Sequence, residues 1–172
     1  MRNKFILLDR DGTIIRHVHH LINPDELELL PQLISGLIIL KNEGYKFGII
    51  TNQSVINRGK ISIEKVEEIN RKLIYLLKDC EIEIEFVYVC PHTPVEGCNC
   101  RKPNISNGIK AISEFNIKVE ESYMIGDMLT DIDFGIKLGM KTIQIDSGNK
   151  KHSKANYFAK NIRDAAEWIL KQ

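Results

Sequence analysis

Short, largely apolar runs recur along the chain, and polar residues follow each run at once. The runs cover residues 5–8, 47–50, 86–89, 123–125 and 142–145. Strands that are apolar on both faces are typical of a parallel sheet that is covered on both sides. The pattern therefore predicts that these five segments are strands of such a sheet.

Helical patterns lie between the predicted strands. Pro31 can begin the first helix, Ser62 is a suitable N-cap for a long second helix, and Ser106 can cap the third. The predicted helices cover residues 31–44, 62–80, 106–115, 130–138 and 162–170. The alternation of strand and helix predicts an α/β fold, in which a doubly wound (Rossmann-like), mostly parallel sheet carries helices on both faces.

Length and composition limit the classes of protein to which the chain can belong. It has 172 residues, of which 43% are hydrophobic and 27% are charged, so we expect a single domain over residues 1–172. The 24 Lys and Arg residues nearly balance the 23 Asp and Glu residues, which argues against a nucleic-acid-binding protein. No apolar run approaches the roughly 20 residues that cross a bilayer. We therefore expect a cytoplasmic monomer without membrane or nucleic-acid partners.

Carboxylates follow two of the predicted strands at the point where each strand ends. Asp9 and Asp11 come after the first strand, and Asp127 comes after the fourth. In an open parallel sheet the ligand site lies beyond the carboxyl ends of the strands, so we expect these side chains to meet in one crevice. One carboxylate of such a set can attack as a nucleophile while another transfers a proton. An oxygen-rich set also suits Mg²⁺.

Hydroxyl and amide side chains follow the second predicted strand. They can donate hydrogen bonds to the oxygens of a phosphoryl group, and they belong to Thr51, Asn52, Gln53 and Ser54. This composition is also ordinary in loops, so it points to phosphate only together with the carboxylates. Arg101 and Lys102 add two cations in a segment that Pro103 stiffens, and we expect this pair to contact phosphate.

Three cysteines and a histidine are closely spaced along the chain. They form the pairs Cys90-x-His92 and Cys98-x-Cys100, with five residues between the pairs. Three thiolates and an imidazole match a closed tetrahedral Zn²⁺ site, and a site with no open position is structural. We therefore predict a zinc ion that orders a polar loop and fixes the position of the Arg-Lys pair after it.

In combination, these residues resemble the four motifs of haloacid-dehalogenase-type phosphatases. The motifs occur in the family's order through nearly the whole chain, as Asp9-x-Asp11-Gly12-Thr13, Thr51, Lys102 and Gly126-Asp127-x-x-x-Asp131. Residues 51–54, the Arg58-Gly59 pair and the Cys/His cluster resemble the group without a cap domain, which contains heptose bisphosphate phosphatases and histidinol phosphatases. The resemblance therefore implies a phosphatase fold with a zinc-binding loop and no separate cap.

The resemblance implies a catalytic role for several residues. Asp9 would take the phosphoryl group as an aspartyl phosphate, and Asp11 would protonate the leaving alkoxide and then activate water. Thr51 and Lys102 would hold the phosphoryl oxygens. Arg101 would help to recognise the substrate.

The resemblance also implies a set of magnesium ligands. The ligands of Mg²⁺ would be Asp9, the carbonyl group of Asp11, and Asp127. Asp131 would not bind the ion directly but would contact the groups that do. Because a phosphate monoester is a dianion, a carboxylate can attack it only when cations offset the charge, and Mg²⁺ with Lys102 would do so.

The expected substrate is a small phosphorylated metabolite. Ser54 and Arg58 favour the heptose group, which implies removal of the 7-phosphate from a heptose 1,7-bisphosphate. The alternative is histidinol phosphate, because the short loop on the Cys98 side resembles that group more closely. Met128 and residues 16–20 depart from the heptose pattern at positions that would face the substrate.

Two interpretations from other classes stay open at the level of sequence. A phosphoacceptor signalling domain is also doubly wound and also uses acids, a threonine and a lysine, but it lacks a second carboxylate two residues after the first. A zinc-bearing nucleic-acid binder would need a basic face. His17, His19 and His20 follow the first motif, and we interpret them as a solvated loop rather than as substrate contacts or metal ligands.

Overall fold

All five predicted strands form, and they belong to one six-stranded parallel sheet. The computed structural model describes residues 2–18 and 21–172. The strands are β1 (Phe5–Leu8), β2 (Lys46–Asn52), β3 (Ile84–Cys90), β4 (Tyr123–Gly126), β5 (Lys141–Ile145) and β6 (Tyr157–Ala159). Their order in the sheet is β3-β2-β1-β4-β5-β6, and every neighbouring pair is parallel.

Five α-helices connect or follow the strands. They are α1 (Leu33–Asn42), α2 (Ile63–Asp79), α3 (Ser106–Phe115), α4 (Leu129–Leu138) and α5 (Ile162–Ile169). Short 3-10 turns lie at Pro24–Glu26, Pro94–Glu96 and Val119–Glu121. The prediction for Ser62 is confirmed, because its hydroxyl accepts a hydrogen bond from the Lys65 amide at the start of α2.

One predicted helix start and one predicted helix cap are wrong. The first helix begins at Leu33 rather than at Pro31, and Gln32 before it has a left-handed backbone with a φ of 62°. The third helix begins at Ser106 with Ile105 in the cap position. The Ser106 hydroxyl donates instead to the Asn99 carbonyl, 2.8 Å away, so a contact to the preceding loop replaces the expected cap.

The core lies on both faces of the sheet, as the apolar strands predicted. Alternate residues of β1 point to opposite faces: Ile6 and Leu8 pack with α1, α2 and α5, whereas Phe5 and Leu7 pack with α3 and α4. The doubly wound α/β prediction is therefore confirmed, and the described residues contain no separate cap. No helix in the described part of the chain is long and apolar enough to span a membrane.

Strand β6 was not predicted from the sequence. It has three residues and pairs with β5 at the edge of the sheet, and two of its three residues are only half-buried. The ring of Tyr157 stacks on that of Trp168 in α5, with 5.0 Å between centroids. A strand this short at an edge leaves too weak a hydrophobic pattern to be recognised.

Candidate active site and metal centres

The predicted polar residues lie at the carboxyl ends of three adjacent strands. Asp9 follows β1 directly, Thr51 is near the end of β2, and Asp127 follows β4. Since β1 lies between β2 and β4, these three positions open onto the same edge of the sheet. All three residues are buried.

A glycine allows the loop after β1 to pass close to Asp127. Gly12 has a φ of 81°, in the left-handed region that favours glycine. A Cβ atom at this position would lie 2.5 Å from Asp127 Oδ2, which is far inside van der Waals contact. The chain turns tightly here, with the Gly12 amide 2.8 Å from the Ile15 carbonyl. The chain therefore turns directly after Asp11.

A buried lysine joins two of the site carboxylates. Lys102 Nζ lies 2.6 Å from Asp9 Oδ1, 2.7 Å from Asp131 Oδ1 and 2.6 Å from the Ile50 carbonyl oxygen. Only 2% of Lys102 is exposed. An ammonium group has three donors, and these three acceptors use all of them.

The burial of this cluster perturbs its proton affinities. Burial, with Asp131 and Asp11 nearby, raises the pKa of Asp9 to about 8 although Lys102 opposes the shift. Burial alone would lower the pKa of Lys102, but the charges of Asp131 and Asp9 outweigh it and raise that pKa. Burial and the charge of Asp131 also raise the pKa of Asp127. The cluster thus carries more negative charge than its one lysine neutralises.

Three carboxylates of this cluster are arranged as a divalent cation would require. Asp9, Asp127 and Asp131 each place one oxygen within 4.8 Å of the others. Three carboxylates and one lysine would leave two negative charges, which a divalent ion balances. Oδ1 of Asp127 is buried and finds no hydrogen-bond partner among the described residues. Oxygen ligands and unpaired negative charge fit Mg²⁺.

The other oxygen of Asp127 is held by a loop that the sequence analysis missed. Oδ2 accepts hydrogen bonds from Ser147 Oγ at 3.0 Å and from Asn149 Nδ2 at 2.8 Å. The loop is anchored by Gln144, whose Nε2 donates to the carbonyl oxygens of Asp127 and Lys150. Polar residues follow the fifth strand at 146–149, as polar residues follow the other strands, and this pattern could have indicated the loop.

Asp11 lies beside the carboxylate cluster and has different partners. Its side chain forms a salt bridge of 3.0 Å with Arg10, and its Oδ2 accepts a hydrogen bond of 2.7 Å from Gln53 Nε2. The three-carboxylate group described above does not include the Asp11 side chain. Its side chain is 21% exposed, so it reaches the solvent-filled mouth of the site.

The side-chain amides of Asn52, at the end of β2, and of Gln53, directly after it, form hydrogen bonds with protein groups. Gln53 Nε2 donates to Thr51 Oγ1 at 2.8 Å as well as to Asp11. Asn52 makes two hydrogen bonds with the backbone of Lys102, accepting from its amide at 3.0 Å and donating to its carbonyl at 3.1 Å. These two side chains, predicted as substrate contacts, therefore link the strand to the acid and to the lysine.

Two cavities open beside Asp11 and Gly12. One, of about 250 Å³, is lined by residues that include Asp11, Ser54, Arg58 and His17. The other, of about 470 Å³, lies on the far side of His17 and reaches Ser147 and Lys160. The predicted substrate contacts Ser54 and Arg58 thus line the first cavity. His19 and His20 lie outside the described residues.

The four predicted zinc ligands come together. The Sγ atoms of Cys90, Cys98 and Cys100 are 3.2 to 3.6 Å apart, and Nδ1 of His92 is 3.3 Å from Cys100 Sγ and 3.5 Å from Cys90 Sγ. All three cysteines are free thiols. Ligands about 2.3 Å from a tetrahedral ion would be about 3.7 Å apart, so the donor set fits Zn²⁺ closely.

The Cys/His cluster is connected to the phosphate side of the site. Arg101 Nη1 donates to the His92 carbonyl oxygen at 3.0 Å. Burial and a hydrogen bond with Cys100 raise the pKa of the Cys90 thiol, whereas burial at Cys98 is outweighed by hydrogen bonds with the Arg101 backbone and Cys100, which lower the pKa of that thiol. The cluster is therefore linked to the site by the sequence Cys100-Arg101-Lys102 and by the hydrogen bond between Arg101 and His92.

Comparison with known families and proteins gives a consistent result. A family model described as HAD-hydrolase-like matches residues 99–168. The D-glycero-beta-D-manno-heptose-1,7-bisphosphate 7-phosphatase of Helicobacter pylori strain J99 is 33% identical to this chain, and the alignment covers 97% of each. The bifunctional histidine biosynthesis protein of Blochmanniella floridana is 33% identical over 84% of this chain but over only 41% of its own length.

A solved structure has the same fold. The crystal structure of D,D-heptose 1,7-bisphosphate phosphatase from B. bronchiseptica, complexed with magnesium and phosphate, superimposes with a TM-score of 0.87. The match covers 98% of both chains at 22% sequence identity. At that identity the likeness shows the fold.

Proposed function

The chain belongs to the haloacid-dehalogenase-like phosphatases, and from this premise we propose that it removes the 7-phosphate of D-glycero-D-manno-heptose 1,7-bisphosphate. The observation that carries the proposal is the joining of Asp9 to Lys102 and Asp131 in one buried cluster, with Asp11 at its mouth. A nucleophile, a cation and a second acid are the groups that stepwise phosphate ester hydrolysis needs.

In the proposed first step, the carboxylate of Asp9 attacks phosphorus. The new bond joins an Asp9 oxygen to phosphorus while the bond from phosphorus to the ester oxygen breaks. Asp11 gives its proton to that ester oxygen, so the sugar leaves as a neutral alcohol. The position of Asp11 at the site mouth supports this role, because the leaving group must be on the solvent side of the phosphorus atom.

In the proposed second step, water hydrolyses the aspartyl phosphate. Asp11, now ionised, takes a proton from the water, whose oxygen bonds to phosphorus as the bond to Asp9 breaks. Inorganic phosphate leaves, and Asp9 and Asp11 return to their starting states. Splitting one slow displacement into two lowers each barrier.

Lys102 and Thr51 are proposed to hold the phosphoryl oxygens. The ammonium of Lys102 is fixed beside Asp9, and a phosphoryl oxygen would replace one of its three protein acceptors when the phosphate arrives. Thr51 Oγ1 accepts from Gln53 and can therefore turn its own O–H toward the substrate.

The carboxylates of Asp9 and Asp127 and the carbonyl group of Asp11 are proposed to hold Mg²⁺. When bound, the ion would offset the negative charge of the phosphoryl group and of the carboxylates. Asp131 accepts a hydrogen bond from the Met128 amide and pairs with Lys102, which supports a role in orienting the cluster.

Zinc on the four Cys/His ligands is proposed to be structural. The donor set is closed at four ligands, which leaves no open position for substrate. Its role would be to order the loop that presents Arg101 and Lys102, because that loop has few apolar residues of its own. Arg101 and Arg58 are proposed to contact the non-reacting part of a small phosphorylated substrate, with Ser54.

Relatives support the heptose substrate and also one alternative. The H. pylori relative is aligned over nearly its whole length, which favours the heptose bisphosphate. Histidinol phosphate stays the second candidate, because the Blochmanniella protein of histidine biosynthesis is equally identical over the aligned region.

A panel of substrates tests the choice directly. Phosphate release would be measured with heptose 1,7-bisphosphate, histidinol phosphate and p-nitrophenyl phosphate, each with and without Mg²⁺. The proposal predicts the highest kcat/KM with the heptose compound, and activity that depends on Mg²⁺. A higher kcat/KM with histidinol phosphate would overturn the substrate assignment, and lasting phosphorylation of the protein without turnover would favour a signalling domain.

A further inference from the structure

A buried arginine lies between the two aspartates of the first motif and binds the second one. The guanidinium of Arg10 donates from Nε to Asp11 Oδ2 at 3.0 Å and from Nη2 to Asp11 Oδ1 at 3.2 Å. Such a two-point contact fixes the plane of the carboxylate as well as its distance. The side chain of Arg10 is only 3% exposed, so protein groups at the wall of the 250 Å³ cavity hold the guanidinium.

The third nitrogen of Arg10 is bound by a helix residue far away in the sequence. Nη1 of Arg10 donates to Oδ1 of Asn70 at 2.9 Å. Asn70 belongs to α2 and is 6% exposed, and its helix neighbours Val66, Ile69 and Leu73 form the buried apolar face. An amide on that face is unfavourable unless it forms hydrogen bonds, so the contact with Arg10 explains why a polar residue is there.

These contacts form one chain of hydrogen bonds that includes Asp11. Asn70 holds Arg10, Arg10 holds both oxygens of Asp11, and Gln53 holds Asp11 from the other side while it also donates to Thr51. Asp11 is thus fixed from two directions by protein side chains.

We propose that Asn70 is a positioning residue, which orients Asp11 through Arg10 for proton transfer to the leaving group. The inference rests on the function proposed above and extends it to a residue that no motif of the sequence includes. Without Asn70, the Arg10 side chain can rotate about its terminal bonds, and the carboxylate can rotate with it. The proton of Asp11 would then be misplaced relative to the ester oxygen.

The chemistry of the leaving group separates this role from a general structural one. An alkoxide leaves only with a proton, whereas p-nitrophenolate leaves without one. Two esters of similar size differ in this respect: p-nitrobenzyl phosphate and p-nitrophenyl phosphate. Only the benzyl ester depends on the proton of Asp11 when the bond between phosphorus and the ester oxygen breaks.

The test measures the first turnover of both esters by rapid quench, since the first turnover excludes the later hydrolysis of the aspartyl phosphate. Asn70→Ala should slow release of p-nitrobenzyl alcohol by about 10-fold and release of p-nitrophenolate by less than about 2-fold. Asn70→Asp keeps an acceptor oxygen and should retain the ratio of the wild-type protein. Asn70→Leu, which keeps the branching at Cγ but has no polar atoms, should behave as Asn70→Ala does and replaces it if that variant does not fold.

Two further variants make the result decisive. Val66→Ala shortens a buried side chain of the same helix face and should leave the ratio of the two rates unchanged. Equal slowing of both esters by Asn70→Ala, or no change in either, would overturn the inference. If Asp11→Asn changes the ratio of the two rates and Asn70→Ala does not, only the inference about Asn70 fails. If Asp11→Asn leaves the ratio unchanged, the proposed role of Asp11 fails, and the inference about Asn70 fails with it.

Discussion

At the scale of single residues, the site is defined by contacts between residues that are far apart in the sequence. Asp9, Lys102 and Asp131 come from three separate segments, and an oxygen of each aspartate lies within 2.7 Å of Lys102 Nζ. The identity of these residues could be predicted, because each is part of a motif at a strand end or follows the cysteine cluster. Arg10 and Asn70 could not be paired from the sequence, since a hydrogen bond across 60 residues leaves no periodic signal.

The amide of Asn149 is expected to tune the metal affinity of Asp127. It donates to Oδ2 and leaves the buried Oδ1 without a partner among the described residues. Because such supporting contacts orient a ligand, Asn149→Ala should weaken Mg²⁺ binding by about 10-fold, as measured by isothermal titration calorimetry. Asn156→Ala removes an asparagine of the same region that bonds to Thr142 instead, and it should leave the affinity unchanged. Unchanged binding by Asn149→Ala would contradict the role of this contact.

Gly12 offers a test in which backbone strain and steric conflict are separated. Gly12 and Gly44 have the same φ of 81°, but only at Gly12 would a Cβ atom meet Asp127. Gly44→Ala should lower the free energy of unfolding by about 1 to 2 kcal/mol, because a left-handed backbone disfavours alanine, and Gly12→Ala should lower it by more, because the added Cβ also clashes with Asp127. Only Gly12→Ala should also lose phosphatase activity. Denaturant unfolding and initial rates measure the two effects. Full activity in Gly12→Ala would show that activity does not depend on the close approach of the Gly12 backbone to Asp127.

At the scale of elements, the strands and helices were predicted more reliably than their ends. The strands β1 to β5 contain compact apolar runs, whose pattern is set by burial on both faces. The cap of α3 was predicted wrongly because Ser106 bonds to Asn99 rather than to the helix, and β6 was missed because it is short and lies at an edge. Local sequence patterns cannot report a contact that the tertiary fold decides.

The Cys/His loop is the element whose order we expect to depend most on a metal. Cys98→Ser should remove most of the bound zinc, which metal analysis would find near one equivalent per chain in the unaltered protein. The variant should also lose activity, because the loop that presents Lys102 would lose its order. Cys80→Ser changes a cysteine at the end of α2, away from the cluster, and should retain both zinc and activity. Full activity in Cys98→Ser protein that contains no zinc would contradict the structural role.

At the scale of the whole molecule, the strand order explains why the site lies where it does. The chain builds β1, β2 and β3 toward one edge and then returns to build β4, β5 and β6 toward the other. The loops after β1 and β4 therefore diverge from adjacent strands and leave a crevice between them, with Asp9 and Asp127 at its base. The two cavities near this crevice reach Asp11 and Gly12, in the loop that directly follows Asp9.

The central claim is that Asp9 becomes covalently phosphorylated. Asp11→Asn slows the second step, so the intermediate should accumulate when this variant reacts with p-nitrophenyl phosphate. After acid quench and borohydride reduction, mass spectrometry of the digested protein should find homoserine at position 9 in an amount equal to the p-nitrophenolate released in the first turnover. The same treatment of Asp9→Asn should give neither product. Release of p-nitrophenolate without homoserine at position 9, or with homoserine at another aspartate, would contradict the account.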